Sequence, residues 1–211
     1  MYFKDREAAA YQLLEKLEKY RGKNPIVAGI PRGAMPMAKI IADGLGAELD
    51  AVLVHKIPHP ENEEFAIGCV GISGNIHRLP YVEEFQISES YIQSAAKTQL
   101  ETLKERQKKY GLGEPKMKDR IVIIVDDGIA TGATTIGAIS EVRSLGASKI
   151  ILAAAVSATS AAREIKPLVD EFIVLDIPSG FFGVGQFFLS FPQVSDEEVI
   201  AMLHGENSAQ V

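Results

Sequence analysis

Apolar residues recur along the chain at two spacings, and these predict alternating strands and helices. Continuous apolar runs such as residues 121–125 (IVIIV) are typical of strands buried on both faces of a parallel sheet. Apolar residues at helical intervals, such as Tyr11, Leu14 and Leu17, indicate amphipathic helices. The predicted strands are residues 26–30, 49–54, 65–72, 76–79, 121–125, 149–156 and 172–177. The predicted helices are residues 5–20, 37–45, 88–110, 133–145, 161–168 and one that begins at Ser195.

The order of these elements predicts the fold class. A strand, a helix and a second strand in succession form the right-handed unit from which parallel sheets are built. A chain of 211 residues, 46% of them hydrophobic, is long enough for one well-packed α/β domain and short for two. We therefore predict a single domain over residues 1–211, with a mainly parallel sheet flanked by helices and a core of about residues 20–56 and 118–178.

Composition narrows the classes of partner. The net charge of −6 and the pI of about 5.3 argue against a general affinity for nucleic-acid backbones. The single cysteine, Cys69, excludes an internal disulfide and suits a reducing compartment, and its apolar neighbours favour a packed side chain over a nucleophile. No signal peptide is evident, and no apolar run approaches the ~20 residues of a membrane span. The expectation is a cytoplasmic protein without membrane contact.

The chemistry is concentrated in residues 120–135, RIVIIVDDGIATGATT. Asp126 and Asp127 end the apolar strand, and ligands of open α/β sheets bind beyond the carboxyl ends of the strands. The small residues after them let successive N–H groups and a helix N-terminus converge on an anion. Hydroxyl donors are added by Thr131, Thr134 and Thr135. The acids themselves suit ribose hydroxyls, or a magnesium ion carried by the same ligand.

Three other interpretations of this segment compete with that one. Paired Asp residues after a strand can be turn formers or helix N-caps, although a cap needs one Asp rather than two. A nucleotide P-loop would need a lysine after its glycine, and this loop has none. A dinucleotide-binding loop would need Gly-x-Gly-x-x-Gly, a spacing that GIATGA lacks.

The segment VDDGIATGAT resembles the phosphoribosyl-pyrophosphate (PRPP) motif of the type I phosphoribosyltransferases. GIPRGAMPMA near the start and VGQFF with FPQVSDEEV near the end are similar to a subgroup of predicted bacterial phosphoribosyltransferases, so the resemblance covers nearly the whole chain. It implies that Asp126 and Asp127 contact the ribose hydroxyls. It also implies that the loop after them holds the 5′-phosphate, through Gly128, Ala130, Thr131, Gly132, Ala133, Thr134 and Thr135.

The same resemblance implies a pyrophosphate site. Arg32 and Gly33, after the first strand, match the basic residue and glycine of the family's pyrophosphate loop. Lys56, which we predict at the end of the second strand, matches a pyrophosphate-binding lysine of the adenine and orotate branches. His55 departs from the arginine that precedes that lysine. Without the resemblance, Arg32 and Gly33 could simply form a turn, and Lys56 could be a solvated surface side chain.

The resemblance further implies a hood over the site, which we predict at about residues 57–80 and 178–194. Residues 57–64 (IPHPENEE) stand at the place of the family's mobile loop, and His59 and Glu64 are its candidate polar residues. The aromatic segment 181–188 could stack on a flat heterocycle or pack against the core. Ala130 replaces an aspartate that contacts the base in some purine-transferring relatives, which makes hypoxanthine or guanine chemistry less expected.

Together these features predict a magnesium-dependent phosphoribosyltransferase that moves the phosphoribosyl group from PRPP to a nitrogen acceptor, a nucleobase by resemblance, and releases pyrophosphate. The expected catalytic residues are Asp126, Asp127, Lys56 and Glu64, and magnesium is expected on the two aspartates or on PRPP. Two alternatives stay open: a PRPP-sensing regulator, and a hydrolase or nucleosidase acting on a ribosyl phosphate. A homodimer is expected from the resemblance alone.

Overall fold

The computed structural model describes residues 2–79, 82 and 85–205, with Glu64 described by its backbone alone. The described residues form eight strands and six α-helices. The strands are β1 (Ile26–Gly29), β2 (Glu48–Ala51), β3 (Val54–His59), β4 (Asn62–Gly71), β5 (Ile76–Arg78), β6 (Ile121–Asp126), β7 (Lys149–Val156) and β8 (Glu171–Asp176). The helices are α1 (Arg6–Leu17), α2 (Met35–Leu45), α3 (Glu89–Lys109), α4 (Ala133–Ser144), α5 (Thr159–Ile165) and α6 (Asp196–His204).

Five of the strands form the predicted parallel sheet, in the order β2-β1-β6-β7-β8. β1 pairs with β2 on one side and with β6 on the other, and Gly29 lies opposite Val125 in the second pair. After β1 the chain moves outward to β2, whereas after β6 it moves the opposite way to β7 and β8. The strand order therefore reverses between β1 and β6. In open α/β sheets a ligand crevice opens at such a reversal.

The apolar strand runs are buried because both faces of the sheet are covered. Ile123 and Val125 point to one layer, which contains the buried residues of α1 and α2. Val122 and Ile124 point to the other, which contains those of α4, α5 and the antiparallel strands. Alternate residues of one strand thus enter opposite cores, as the period of two requires. The predicted single α/β domain with a mainly parallel sheet is confirmed.

Helix ends agree closely with the sequence. α1 begins after Asp5, whose carboxylate accepts from Ala8 N at 2.8 Å. α6 begins after Ser195 with a capping box, in which Ser195 and Glu198 satisfy each other's backbone N–H groups. None of the helices in the described ranges combines the length and the apolar character that a bilayer crossing needs.

A second, antiparallel sheet corrects two of the sequence predictions. β3, β4 and β5 form it, and β3 pairs directly with β4. Residues 57–64 therefore lie mostly in the strands of the β3–β4 hairpin, so the prediction of a loop there was wrong, whereas a movement of this segment over the site stays a prediction. The predicted strand 49–54 is present as β2, but its end was wrong, because β2 ends at Ala51 and Val54 begins the antiparallel sheet.

The sequence around Pro58 explains why β3 was not predicted. Pro58 cannot donate to a ladder, and in β3 only Ile57 is fully buried, so neither the apolar period nor the composition resembles a strand. The pairing register shifts at Pro58, as at a β-bulge. The Tyr91 hydroxyl, from α3, donates to the Pro58 carbonyl at 3.1 Å and supports the strand from outside.

The antiparallel sheet is tied to α4 at two points. The buried carboxylate of Glu141 accepts from Ser73 N at 2.8 Å and from Ser73 Oγ at 2.7 Å. Cys69 Sγ donates to the Ala133 carbonyl at 3.1 Å, and burial raises the pKa of this thiol to about 11. Cys69 is thus a packed side chain, as expected from its neighbours.

Replacing Glu141 with alanine should lower the free energy of unfolding by about 2 kcal/mol, because the two hydrogen bonds from Ser73 to a buried carboxylate are lost. Urea denaturation followed by circular dichroism measures this. The matched control is Glu101→Ala, which changes a solvent-exposed glutamate of α3. Equal stability of the two variants would contradict the tether.

Candidate functional site

The crevice between the carboxyl ends of β1 and β6 contains a cavity of about 220 Å³. It is bounded by the loop after β1, by the acid pair and loop after β6, and by a lysine from β3. Its lining residues are Ile30, Pro31, Gly33, Ala34, Lys56, Asp126, Asp127, Gly128, Ile129, Ala130, Thr131, Gly132, Thr134 and Thr135. Most of the residues that the sequence singled out thus line one cavity.

The loop after β6 is built to receive an anion. Within the described chain, the backbone N–H groups of residues 130–135 donate to no protein acceptor. Gly132 lies at φ 82°, a left-handed conformation that turns the chain into α4. The first turn of a helix leaves its N–H groups unpaired and carries partial positive charge, so this end of α4 favours a phosphate. Ala133 lies outside the cavity lining, and its contribution is limited to its backbone.

The two acids sit in different environments. Asp126 is buried; its Oδ1 accepts from Gly128 N at 3.2 Å and its Oδ2 from Thr135 Oγ1 at 2.8 Å. Burial raises the pKa of Asp126, and the charge of Asp127 raises it further. Burial also raises the pKa of Asp127, but an arginine, Arg6, acts on that pKa in the opposite direction. The pair therefore holds its protons more tightly than free aspartates do.

Arg6 is the site residue that sequence reasoning missed. Its Nε and Nη2 lie 2.9 and 2.8 Å from Asp127 Oδ2, across 121 positions of the chain. A signal was available: Arg6 continues the buried stripe of Ala10, Leu13 and Leu17 on α1 at helical spacing. A charged residue on an apolar stripe calls for a buried partner.

The loop after β1 fits tightly against this ion pair. A Cβ on Gly33 would lie 2.3 Å from Asp127 Oδ2 and 3.3 Å from Arg6 Nη2, so the position has no room for a side chain. The peptide bond between Pro31 and Arg32 is cis. The Arg32 side chain leaves the cavity, with Nη1 3.9 Å from Asp196 Oδ1 on α6.

The remaining polar candidates are divided between two places. Lys56 lines the cavity, but from within β3 rather than from the end of a parallel strand as predicted. His59 is at the tip of the β3–β4 hairpin, packed edge-on against Phe65 and Phe85, and lines a separate cavity of about 530 Å³. The structure does not bring His59 to the acid pair. The side chain of Glu64 lies outside what the structure describes.

The aromatic segment 181–188 is partly packed against the core and partly exposed. Phe187 and Phe188 are buried, and Phe188 forms a parallel bridge with Phe3. Phe182, in contrast, is 97% exposed. The segment borders the site, because a Cβ on Gly128 would lie 2.4 Å from Val184 Cγ1.

The donor set limits how a metal ion could bind. In the described residues there is no group of three or more His, Cys, Asp or Glu side chains that could enclose one. Magnesium is commonly held by one or two carboxylates together with substrate phosphates and water. The acid pair fits that arrangement, in which the ligand brings most of the oxygen atoms.

Comparison with known proteins gives a consistent result. The family model described as "Phosphoribosyl transferase domain" matches residues 2–185. Two curated relatives, from Mycobacterium tuberculosis strains CDC 1551 and H37Rv, are each named "Putative phosphoribosyl transferase" and are 35% identical over 204 residues, which is 95% of this chain and 46% of theirs. The chain thus spans about half the length of the curated relatives it matches. The family resemblance predicted from the sequence is confirmed.

Two solved structures are also similar. TT1426 from Thermus thermophilus is 37% identical with a TM-score of 0.86, and the match covers 96% of this chain and 98% of that one. The AQ2163 protein from Aquifex aeolicus is 16% identical with a TM-score of 0.51, over 82% of this chain and 74% of that one. The second likeness concerns the fold alone.

Replacing Gly33 with alanine should lower the free energy of unfolding by about 2 kcal/mol, because the added methyl group overlaps the Asp127 carboxylate. Thermal and urea denaturation measure the loss. Gly113→Ala is the control, since a Cβ there meets nothing within 4 Å. A Gly33→Ala protein as stable as the control would show that the loop and the acid pair are not in contact.

The raised pKa of Asp126 predicts a pH-dependent stability difference between the wild type and Asp126→Asn. A carboxyl group whose folded pKa exceeds its unfolded value stabilises the fold below the unfolded pKa and loses this contribution as pH rises through the folded pKa. The wild type should therefore lose stability relative to Asp126→Asn between about pH 4 and pH 8, by at least about 1 kcal/mol. Urea denaturation across this range tests it, with Asp43→Asn as an exposed control. A pH-independent difference would refute the raised pKa.

Proposed function

This chain belongs to the phosphoribosyl transferase domain family, and from that premise we propose that it transfers the 5-phosphoribosyl group of PRPP to a nitrogen of a small acceptor, with release of pyrophosphate. The observation that carries the proposal is the juxtaposition, in one cavity, of unpaired backbone N–H groups and a buried acid pair. The N–H groups suit a phosphate, and the carboxylates suit vicinal hydroxyls. PRPP presents both on one sugar.

In this proposal the 5′-phosphate lies against the N–H groups of residues 130–135 and the hydroxyls of Thr131, Thr134 and Thr135. Asp126 and Asp127 accept from the ribose hydroxyls. The diphosphate extends toward Lys56 and toward the backbone of Arg32 and Gly33, whose N–H groups donate to no acceptor in the described chain. This arrangement fixes the sugar and leaves C1′ facing the mouth of the cavity.

The reaction is a substitution at C1′. The acceptor nitrogen bonds to C1′, the bond from C1′ to the diphosphate oxygen breaks with its electron pair leaving on pyrophosphate, and the acceptor N–H proton passes to solvent or to pyrophosphate. Lys56 offsets negative charge as it grows on the leaving group, and the acid pair holds the ribose in position. Magnesium, when bound with PRPP, supplies further charge neutralisation on the diphosphate.

We propose a nucleobase as the acceptor and a hood that admits it. The hood comprises the antiparallel sheet of β3, β4 and β5 and the segment 178–194, which border the cavity from two sides. The exposed Phe182 ring supports the stacking of a flat heterocycle. Ala130 offers the base no carboxylate, which argues against hypoxanthine and guanine.

The alternative is a PRPP-sensing regulator that binds without transferring. Such a protein would use a basic face for nucleic acid, and the basic end of α3 is the candidate. Lys109 there is already paired with Asp196 at 2.8 Å and with Glu197 at 3.5 Å. This pairing reduces the positive charge that the end of α3 offers to nucleic acid.

The test is calorimetric binding of PRPP with magnesium, followed by a screen of nucleobases for pyrophosphate release. Binding with release for one base establishes the transferase and names its acceptor. Release with free ribose phosphate as the product would indicate a hydrolase. Binding without release across the screen would favour the sensor, and absence of binding would contradict the proposal.

Lys56→Gln should weaken PRPP binding about tenfold, equivalent to ~1.4 kcal/mol, while leaving the affinity for ribose 5-phosphate nearly unchanged. The reason is that Lys56 is assigned to the diphosphate, which ribose 5-phosphate lacks. Calorimetry with both ligands measures the contrast, and Lys97→Gln on the exposed face of α3 is the control. Equal losses for the two ligands would remove Lys56 from the pyrophosphate site.

A further inference from the structure

Arg6 connects three parts of the chain that are distant in sequence. Its Nε donates to Asp127 Oδ2 at 2.9 Å, its Nη2 forms an ion pair with the same oxygen at 2.8 Å, and its Nη1 donates to the Pro192 carbonyl at 2.7 Å. Its guanidinium carbon lies 3.7 Å from the centre of the Phe191 ring. The guanidinium is thus held on its edge by hydrogen bonds and on its face by an aromatic ring, which leaves it little freedom to reorient.

The hydrogen bond and the ion pair from Arg6 converge on one oxygen of Asp127, Oδ2. Among the described residues no other side chain hydrogen-bonds to this carboxylate. Gly33 packs against the same oxygen. Oδ1 takes part in none of these contacts, and its position is determined by what holds Oδ2.

Stability alone does not account for this ion pair. The side chains of Arg6 and Asp127 are 10% and 15% exposed, so both charges have lost most of their water. The desolvation cost of such a pair commonly matches or exceeds its attraction, and a buried salt bridge is therefore weak evidence for stability. Its definite effect is on orientation and on the charge state of Asp127.

The partners of Arg6 form a continuous aromatic group. Phe191 stacks on Phe188 at 4.8 Å between ring centres, and Phe188 lies 5.4 Å from Phe3. Residues 188–192 follow the range of the family match, which ends at residue 185. Arg6 therefore joins a segment outside the matched range to the acid pair inside it.

We propose that Arg6 is a positioning residue for this site: it holds Asp127 as an oriented carboxylate whose Oδ1 accepts from the ribose hydroxyls of PRPP. The proposal rests on the proposed function. In this arrangement Asp127 is held by Arg6 from α1, while Asp126 is held by Gly128 N and Thr135 Oγ1 of the adjacent loop and helix. The charged groups facing the pair are Arg6 from α1 and Lys56 from β3, while Arg32 is directed to Asp196 instead.

The decisive variant is Arg6→Gln, which keeps an amide donor and removes the charge. At pH 7 the Kd for PRPP and the Kd for ribose 5-phosphate should each rise about tenfold or more, because the carboxylate that accepts from the ribose hydroxyls is no longer held in place. The Kd for inorganic pyrophosphate, which lacks the ribose, should stay within about twofold of the wild-type value. Arg21→Gln, an exposed arginine that pairs with Glu18, is the control and should leave all three Kd values unchanged.

A second variant keeps the proposal testable if Arg6→Gln does not fold. Arg6→Lys retains the charge but replaces the planar guanidinium with a single ammonium group. It should raise the Kd for PRPP and for ribose 5-phosphate several-fold, less than Arg6→Gln does, and leave the Kd for inorganic pyrophosphate unchanged. Wild-type Kd values for both ribose ligands in this variant would contradict the positioning role.

The outcomes separate this proposal from the proposed function. An Arg6→Gln protein that loses thermal stability but binds PRPP and ribose 5-phosphate as the wild type does overturns the positioning role, and so does one that loses the same factor of affinity for pyrophosphate. Wild-type protein that binds no PRPP contradicts the proposed function. Binding of ribose 5-phosphate by the wild type and by Arg6→Gln then decides the role of Arg6 by itself, and a wild type that binds neither ligand overturns both proposals.

Discussion

The parallel pairing of β1 with β6 is the constraint on which the rest of the structure depends. The two strands are in register from Ile26 opposite Val122 to Gly29 opposite Val125, and Ile30 N extends the ladder to Val125 O at 3.0 Å. Their carboxyl ends therefore finish side by side, while the chain departs from them in opposite directions. The crevice, the two loops that line it and the acid pair all follow from this reversal.

Placing two carboxylates at the end of a buried strand has consequences throughout the site. A buried charge without partners is strongly unfavourable, so each acid needs donors close at hand. For Asp126 these come from the adjacent loop, through Gly128 N and Thr135 Oγ1. For Asp127 the donor comes from the first helix, and the space for this contact exists because residue 33 is a glycine. The absence of a side chain at Gly33 and the charge of Arg6 together allow the Asp127 carboxylate to be buried.

The antiparallel sheet contains a strand, β3, that the sequence patterns did not predict. β3 contains one fully buried side chain and a proline next to its last residue. Its sequence therefore has no apolar period from which the pairing with β4 could be predicted. Its position is determined by tertiary contacts, namely Tyr91 on Pro58 and Ser73 on Glu141. Lys56 was selected by resemblance and does line the cavity, although the strand that carries it was assigned to the wrong sheet.

The sequence by itself determined the features that depend on neighbours along the chain: the buried strands, the helix caps, and the run from Asp126 to Thr135, in which acids and phosphate loop are contiguous. These follow from local conformation and from burial on both faces of a sheet. Only the tertiary structure decided that Arg6 meets Asp127, that the Arg32 side chain turns to Asp196, and that His59 stands apart from the acid pair. The physical reason is that a buried charge pairs with whichever opposite charge the packed fold brings within reach. Arg6 and Asp127 are 121 positions apart, so the sequence around either residue does not reveal the other as its partner.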